Sequence, residues 1–397
     1  MGVDCGHAAF GTPSTSSTDL DKPTDFSRCI SPVSITTVGT ADSIWTGFSE
    51  DIELSKSTDL HLPPLRVWRA IPTPGVLKKH YKLQQHIGAG SFGSVVVGKC
   101  LRTGRKRAVK TVTLESSEAQ KVDEHPMDII TPEKMIALLQ LRSHVVQELS
   151  IAGKLQHPYI AYLHETFFDD QRLYLIQELC VGGDLVQKMR RHSRDLDKGL
   201  ARRGLPMEQV AKYMWQMLSG IAYLHHHGFV HRDIKLESYL LKSRTKDSPL
   251  KLTDFGQACK IESGVPLTER LGRPAFMAPE VLRGSYNSKC DIYGIGVCSF
   301  YLVTARLPYS IETDEDVLEQ ALYGELKMDP EEWFDVPQEA RSLIREILEA
   351  EPIIRPSARD VLERKGTWLR QHGHDPEGEI FDHAPGGGGH KACCTIC

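Results

Sequence analysis

The sequence predicts an α+β fold in two lobes, a smaller β-rich one followed by a larger helical one. Two observations carry that expectation. Short strand-like runs broken by glycine and charge begin at Tyr81, and after Gly183 the apolar residues fall at helical spacing. The crevice between such lobes is a natural ligand site.

The strands come first. YKLQQHIG, SVVVGKC and RAVKTVTL read as neighbouring strands of an antiparallel sheet, and LYLIQEL adds another. Helices follow. MEQVAKYMWQMLSGIAYLHHH puts Val210, Tyr213, Met214, Met217, Ile221 and Leu224 on one face. CDIYGIGVCSFYLVT is apolar nearly all round, the pattern of a helix buried inside a domain, and QEARSLIREILEA is amphipathic again. Residues 1–78 are rich in Ser, Thr, Asp and Pro and bury too little apolar surface to offset ordering, so they are expected to be a disordered tail. The folded domain is expected over 81–368, with an exposed insert at about 114–134. A flexible tail over 369–397 carries four consecutive glycines.

Composition narrows the class. With 397 residues, 40% of them hydrophobic, the chain can bury a large core, and a net charge of −4 gives no general attraction to nucleic acid. No apolar run approaches the length needed to span a bilayer, and the N-terminus lacks a secretory pattern, so an intracellular, cytoplasmic protein is expected. Cys100, Cys180, Cys259, Cys290 and Cys298 then read as free thiols rather than a disulfide framework.

Gly88, Gly90 and Gly93 lie in GAGSFG between two strands, where backbone N–H groups can approach a polyphosphate. No Gly-Lys-Ser/Thr follows, and the loop precedes a strand, which argues against a nucleotidase loop and a dinucleotide fold. Lys110 projects from an apolar strand and can hold phosphate oxygens if an acid steadies it; Glu148, on an expected helix, fits that part. His231-Arg232-Asp233, Lys235 and Asp254-Phe255-Gly256 come next in order. Asp254 at a strand end suits Mg²⁺, and Asp233 on a loop suits the proton of an attacking hydroxyl. Met277-Ala278-Pro279-Glu280 and Arg355 complete the series.

These ordered motifs, from about Tyr81 to Trp368, resemble the eukaryotic protein kinases. LYLIQELCVGGDL, HRDIKLESYLL and CDIYGIGVCSFYLVTARLPY resemble the calcium/calmodulin-dependent and calcium-dependent group, and Lys235 two residues after Asp233 is the mark of the serine/threonine type. The resemblance implies a bilobal kinase fold and an ATP- and Mg²⁺-dependent transferase acting on Ser and Thr hydroxyls of proteins. It implies that Lys110 and Glu148 pair on the α/β-phosphates, Asp254 holds metal, Asp233 positions the acceptor and Lys235 steadies the γ-phosphate. Val95, Ala108 and Leu240 would sandwich the adenine, with Glu178 and Cys180 meeting its edge behind Gln177, and Asp184 meeting the ribose. Glu280 with Arg355, and Asp291 tying the backbone of the catalytic loop, would be structural.

The pattern also breaks. Ser238 stands where the family has a metal-binding asparagine; a hydroxyl can still ligate Mg²⁺, but the contact is weaker, and one lost metal contact amounts to roughly 10²-fold in rate. Arg273 replaces the usual threonine of Gly-Thr-Pro, and could either ion-pair with Asp233 or point to solvent. These two residues keep open an alternative, a pseudokinase that binds nucleotide and works as a scaffold or allosteric partner. Glu269 stands where an activating phosphothreonine often sits and could pair with Arg232, or be a solvated loop acid, with Thr268 as a rival phosphate site. The basic run KMRRHSRDLDKGLARRG reads either as a solvated face or as a reader of acidic substrates. No D-x-D-x-D-G calcium loop follows the domain.

At the ends, Gly2 and Cys5 offer a weak acylation signal and Cys394-Thr395-Ile396-Cys397 has the C-a-a-X form, against incidental thiols in frayed tails. Two lipids would suffice for membrane anchoring. Zn²⁺ binding by His372, His374, His383, His390 and the terminal cysteines is a minor alternative, because their spacing matches no compact site. Substrate identity, upstream regulator and oligomeric state leave no signature.

Overall fold

The computed structural model describes residues 76–90, 93–113, 148–149, 151–168, 172–196, 204–262, 264–309, 319–320, 328, 333–365 and 367–372. The insert at 114–134, Gly2, Cys5, Cys394, His374, His383 and His390 lie outside the described residues; His372 is described, in the last helix.

Five antiparallel strands form the smaller lobe: β1 (Tyr81–Gly90), β2 (Gly93–Cys100), β3 (Lys106–Thr113), β4 (Leu163–Phe168) and β5 (Arg172–Gln177), in the spatial order β1-β2-β3-β5-β4. Their two-residue alternation divides β3 cleanly. Val109 joins Leu77, Tyr81, Phe167, Tyr174 and Ile176 in one small core, while Val112 joins the larger core shared with the helices. Lys110 has the same parity as Val112, and it sits in the centre of the sheet opposite Val95 and Leu175. Two register shifts in β1, between Leu83 and His86 and between His86 and Gly88, twist the strand just before the glycine loop.

The helical lobe is built around α2 (Leu185–Leu196), α3 (Met207–His226), α4 (Pro279–Arg283), α5 (Lys289–Thr304) and α6 (Gln338–Ile347). All six residues expected on the inner face of α3 are buried, and so are Ala211, Leu218, Ser219 and Gly220, because neighbours cover more than one face. Helix α5 is buried from Cys290 to Phe300 without a break, which is why it can be apolar all round. Helix α6 buries only Ala340, Leu343, Ile344 and Ile347 and leaves its charges outside. Two short ladders cross this lobe near the crevice, β6 (Phe229–Val230) with β9 (Cys259–Lys260) and β7 (Tyr239–Leu241) with β8 (Leu250–Leu252).

Both expected tails begin further from the domain than the sequence suggested. Val76–His80 is a helical turn, α1, that leads into β1, with Leu77 5% exposed in the small core. Thr367–His372 forms a last helix, α7, and Leu369 is fully buried against the large core. A few apolar side chains within reach of a core are enough to order a flank whose wider composition is polar. No helix among the described residues is long and apolar enough to cross a membrane.

Candidate active site

Lys110 is 6% exposed, and its Nζ donates to both oxygens of Glu148, at 2.7 and 2.8 Å. Asp254 Oδ1 lies 3.9 Å from the same nitrogen. Burial pushes the Glu148 carboxyl pKa up and the Lys110 ammonium opposes that shift. The pair joins strand β3 to the helical residues around Glu148, and the second acid, Asp254, comes from the other lobe. Lys110 is thus a cation with one acid buried behind it and one partly exposed in front.

The loop after β6 carries Asp233 and Lys235, whose side chains form an ion pair. Its backbone is strained at Arg232, with φ +66°, a region most side chains avoid. Asp291, in the first turn of α5, holds it there. Its carboxylate accepts from the N–H groups of His231 and Arg232, both at 2.9 Å, and contacts His225 Nε2 at 2.8 Å. Burial alone would raise the Asp291 carboxyl; the hydrogen bonds from His225 and His231 outweigh it and hold the pKa below the ordinary value.

A 3-10 turn, Leu236–Ser238, closes the loop. Ser238 is 1% exposed, and its hydroxyl donates to the Asp233 carbonyl at 2.9 Å. Asp254 is likewise left-handed, φ +69°, and leads into the 3-10 turn Phe255–Gln257. Phe255 is 2% exposed and meets the His231 ring edge-on, centroids 5.2 Å apart. These contacts lock the loop and the Asp254 turn to one another.

At the mouth of the crevice, Gly88 opposes Val95 in the β1–β2 ladder and Ala108 opposes Gln177. Gly90 ends β1; the loop tip, Ser91 and Phe92, lies outside the described residues. A Cβ on Gly93 would lie 1.8 Å from the Thr111 carbonyl oxygen, so that glycine serves close strand packing as well. Leu240 stands across from Asp184 in an isolated bridge. Glu178 donates its N–H to the Tyr162 carbonyl at 2.8 Å, and its carboxylate pairs with Lys251 at 2.9 Å and with Lys242. Burial raises the Cys180 thiol to about 11, which makes it a poor nucleophile. Both Asp184 oxygens are engaged by Gln187, its N–H at 2.7 Å and its Nε2 at 3.1 Å, so a ribose hydroxyl would share an acceptor already in use.

Two features escaped sequence reasoning. Ile87, just before Gly88, is 43% exposed, an aliphatic left uncovered where β1 meets the glycine loop. An aliphatic preceding the first glycine was the available signal. The lysine pair on Glu178 had none, because Lys242 and Lys251 are ordinary surface letters in the sequence.

On the segment between the Asp254 turn and α4, Glu269 pairs with Arg232 at 2.6 Å, as one of the two sequence readings had it; Tyr286 adds a hydrogen bond to the Glu269 carbonyl at 2.7 Å. Arg273 does not pair with Asp233, and its side chain is about half in solvent, but it is not free there. Its Nη1 donates to Glu237 Oε1 at 2.5 Å rather than to Asp233, because the 3-10 turn brings Glu237 within its reach. Glu280 and Arg355 form the expected buried pair, with bonds of 2.6 and 3.0 Å.

The donor set suits a polyphosphate with a hard cation. Lys110 and Lys235 supply positive charge, and Asp254, its side chain 25% exposed, supplies carboxylate oxygen. Such a site can hold phosphates at one end and a hydroxyl at the other.

The family model for the protein kinase domain matches residues 81–367. The chain is 31% identical over 273 residues to calcium-dependent protein kinase 5 of Plasmodium berghei, covering 68% of this chain and 43% of that one. It is 30% identical over 269 residues to calcium-dependent protein kinase 5 of Plasmodium falciparum, covering 68% and 42%. Calcium-dependent protein kinase 25 of Arabidopsis thaliana is 29% identical over 304 residues, covering 76% and 52%. The chain therefore spans about half the length of the relatives it matches. With the domain model covering most of its length and the same motifs meeting in one crevice, the chain belongs to the protein kinase family.

Proposed function

We propose that this chain is an ATP- and Mg²⁺-dependent serine/threonine kinase that transfers the γ-phosphate of ATP to protein hydroxyls. The observation that carries the reading is the Lys110–Glu148 pair with Asp254 Oδ1 3.9 Å from Lys110 Nζ. Both the lysine–glutamate pair and the metal-binding aspartate must be in place for this chemistry. Bound MgATP would supply the phosphoryl group and its charge neutralisation. Lys110 binds and orients α/β-phosphate oxygens, with Glu148 fixing its direction. Asp233 orients the acceptor hydroxyl and takes its proton, and Lys235, paired with Asp233, holds positive charge where the transferred group passes. Asp254 is the principal metal ligand, and Val95, Ala108, Leu240 and Ile87 form apolar walls for the base.

A second reading, a nucleotide-binding scaffold without turnover, is favoured by Ser238, whose hydroxyl is directed at the Asp233 carbonyl. Two measurements separate them. Phosphate transfer from ATP to a mixed Ser/Thr peptide library, with Mg²⁺ and with Mn²⁺, is expected to exceed that of Asp254→Ala. Equal rates in the two proteins would refute the enzymatic reading. Ser238→Asn is expected to raise a Mg²⁺-supported rate that is already present; a scaffold would show no transfer as it stands, with or without an ATP-induced thermal shift, and transfer only after that reversion.

A further inference from the structure

Arg273 and Glu237 belong to different segments, and both are partly in solvent, their side chains 53% and 33% exposed. Exposed residues on separate loops rarely hold one another for stability alone. Their meeting is imposed by the backbone. Glu237 sits in the 3-10 turn that follows Asp233, closed by Ser238 N–H to the Lys235 carbonyl at 3.1 Å. Gly272 brings the segment before α4 against the same loop. Its φ is +110°, and a Cβ there would lie 3.0 Å from the Arg232 carbonyl oxygen and 3.6 Å from Asp233 Oδ1. Arg273 follows in extended conformation and accepts from the Phe276 N–H at 2.9 Å, which leaves its side chain to reach Glu237. The other carboxylate oxygen, Glu237 Oε2, is buried with no hydrogen-bond partner among the described residues.

A carboxylate one-third exposed through its side chain, with Oε1 open to a donor, on the loop that receives the acceptor hydroxyl is suited to a cation on the acceptor segment, above all a guanidinium. Here the chain supplies that guanidinium itself. We propose that Arg273 is a specificity-determining residue, an internal cation that fills Glu237 so that the site takes acceptor segments with neutral or acidic side chains beside the hydroxyl. Its biological meaning rests on the kinase reading above. A basic peptide would exchange one exposed ion pair for another of similar worth and leave the displaced Arg273 as a neighbouring like charge. A neutral segment leaves the pair undisturbed, and an acidic one meets a local surplus of cationic donors.

The test is binding, which needs no turnover. Labelled serine peptides with either arginine or glutamine at the flanking positions are titrated by fluorescence anisotropy onto the full chain, Arg273→Gln, Arg273→Lys and the double variant Arg273→Gln/Glu237→Gln. Thermal melting confirms that each is folded. The original chain and Arg273→Lys are expected to bind the two peptides within about twofold. Arg273→Gln is expected to bind the arginine peptide about fivefold to tenfold tighter than the glutamine one, a gain weakened by salt and lost in the double variant. An arginine preference already present in the original chain, a gain that survives in the double variant, or no difference in Arg273→Gln would each overturn the proposal. If the peptide difference stands while no protein transfers phosphate, the kinase reading fails and this one does not.

Discussion

The Arg355 side chain has no exposed surface and makes five hydrogen bonds. Two go to the Glu280 carboxylate; the others reach the carbonyls of Glu349 at 2.8 Å, Lys289 at 2.8 Å and Ala350 at 3.2 Å. Its guanidinium carbon also lies 4.9 Å from the Tyr293 ring centroid. Arg355→Met keeps much of the stem and removes the charge, leaving Glu280, 3% exposed, without its cation. Stranding one member of a buried pair costs about 3–5 kcal/mol. A folded domain of about 290 residues unfolds with an entropy near 0.6 kcal/mol per kelvin, so the melting temperature should fall by about 5–8 °C. Calorimetry of Arg355→Met, Glu280→Gln and the double variant measures it. The double variant is expected to lose less than the two singles together, because no uncompensated charge is left. A fall below about 2 °C, or strict additivity, would refute the view that the buried charge dominates.

Other outcomes follow from the same geometry. Glu269→Gln should lower the rate of unphosphorylated protein by about twofold to fivefold, because its partner Arg232 is only 5% exposed; an unchanged rate would leave the Arg232–Glu269 pair without a role in turnover. Gly272→Ala, at φ +110°, should cost about 1–3 kcal/mol in urea melts, and an unaffected midpoint would show the backbone can relax there. His157 has its pKa depressed to about 3, by burial first and then by Lys251 and His227. The unfolded chain therefore binds a proton that the folded chain does not between about pH 6.5 and pH 3, and stability should fall as pH falls through that window, at up to about 1.4 kcal/mol per unit. His157→Gln should flatten that slope between pH 6.5 and 5; His227, also depressed by burial, retains part of it.

Elements whose burial is written in their own periodicity were legible from sequence. The inner face of α3 and the all-round apolarity of α5 required no partner to be read. Lys110, Glu148 and Asp254 were placed in one site by the family resemblance of the ordered motifs, since a lysine or glutamate taken singly reads as an ordinary solvated charge, and the structure brings the three together. What escaped was set by distant backbone. Arg273 finds Glu237 only because a glycine and a 3-10 turn bring two loops together, and neither charge carries a mark of its partner. The lysines on Glu178 are hidden for the same reason: Lys242 and Glu178 are 64 positions apart. The flanks Val76–His80 and Thr367–His372 were missed because composition averages over a window wider than the few side chains that anchor them.

Asp291 gives the protein a particular way to fail. The carboxylate that keeps Arg232 left-handed belongs to a helix sealed inside the large core, so the strained loop has no private melting step. Most sites built on loops soften before their scaffold does, and heat silences them early. Here the working geometry is mortgaged to the lobe as a whole: it persists until the lobe comes apart, and a heated sample should divide into intact molecules and unfolded ones with few dulled survivors between.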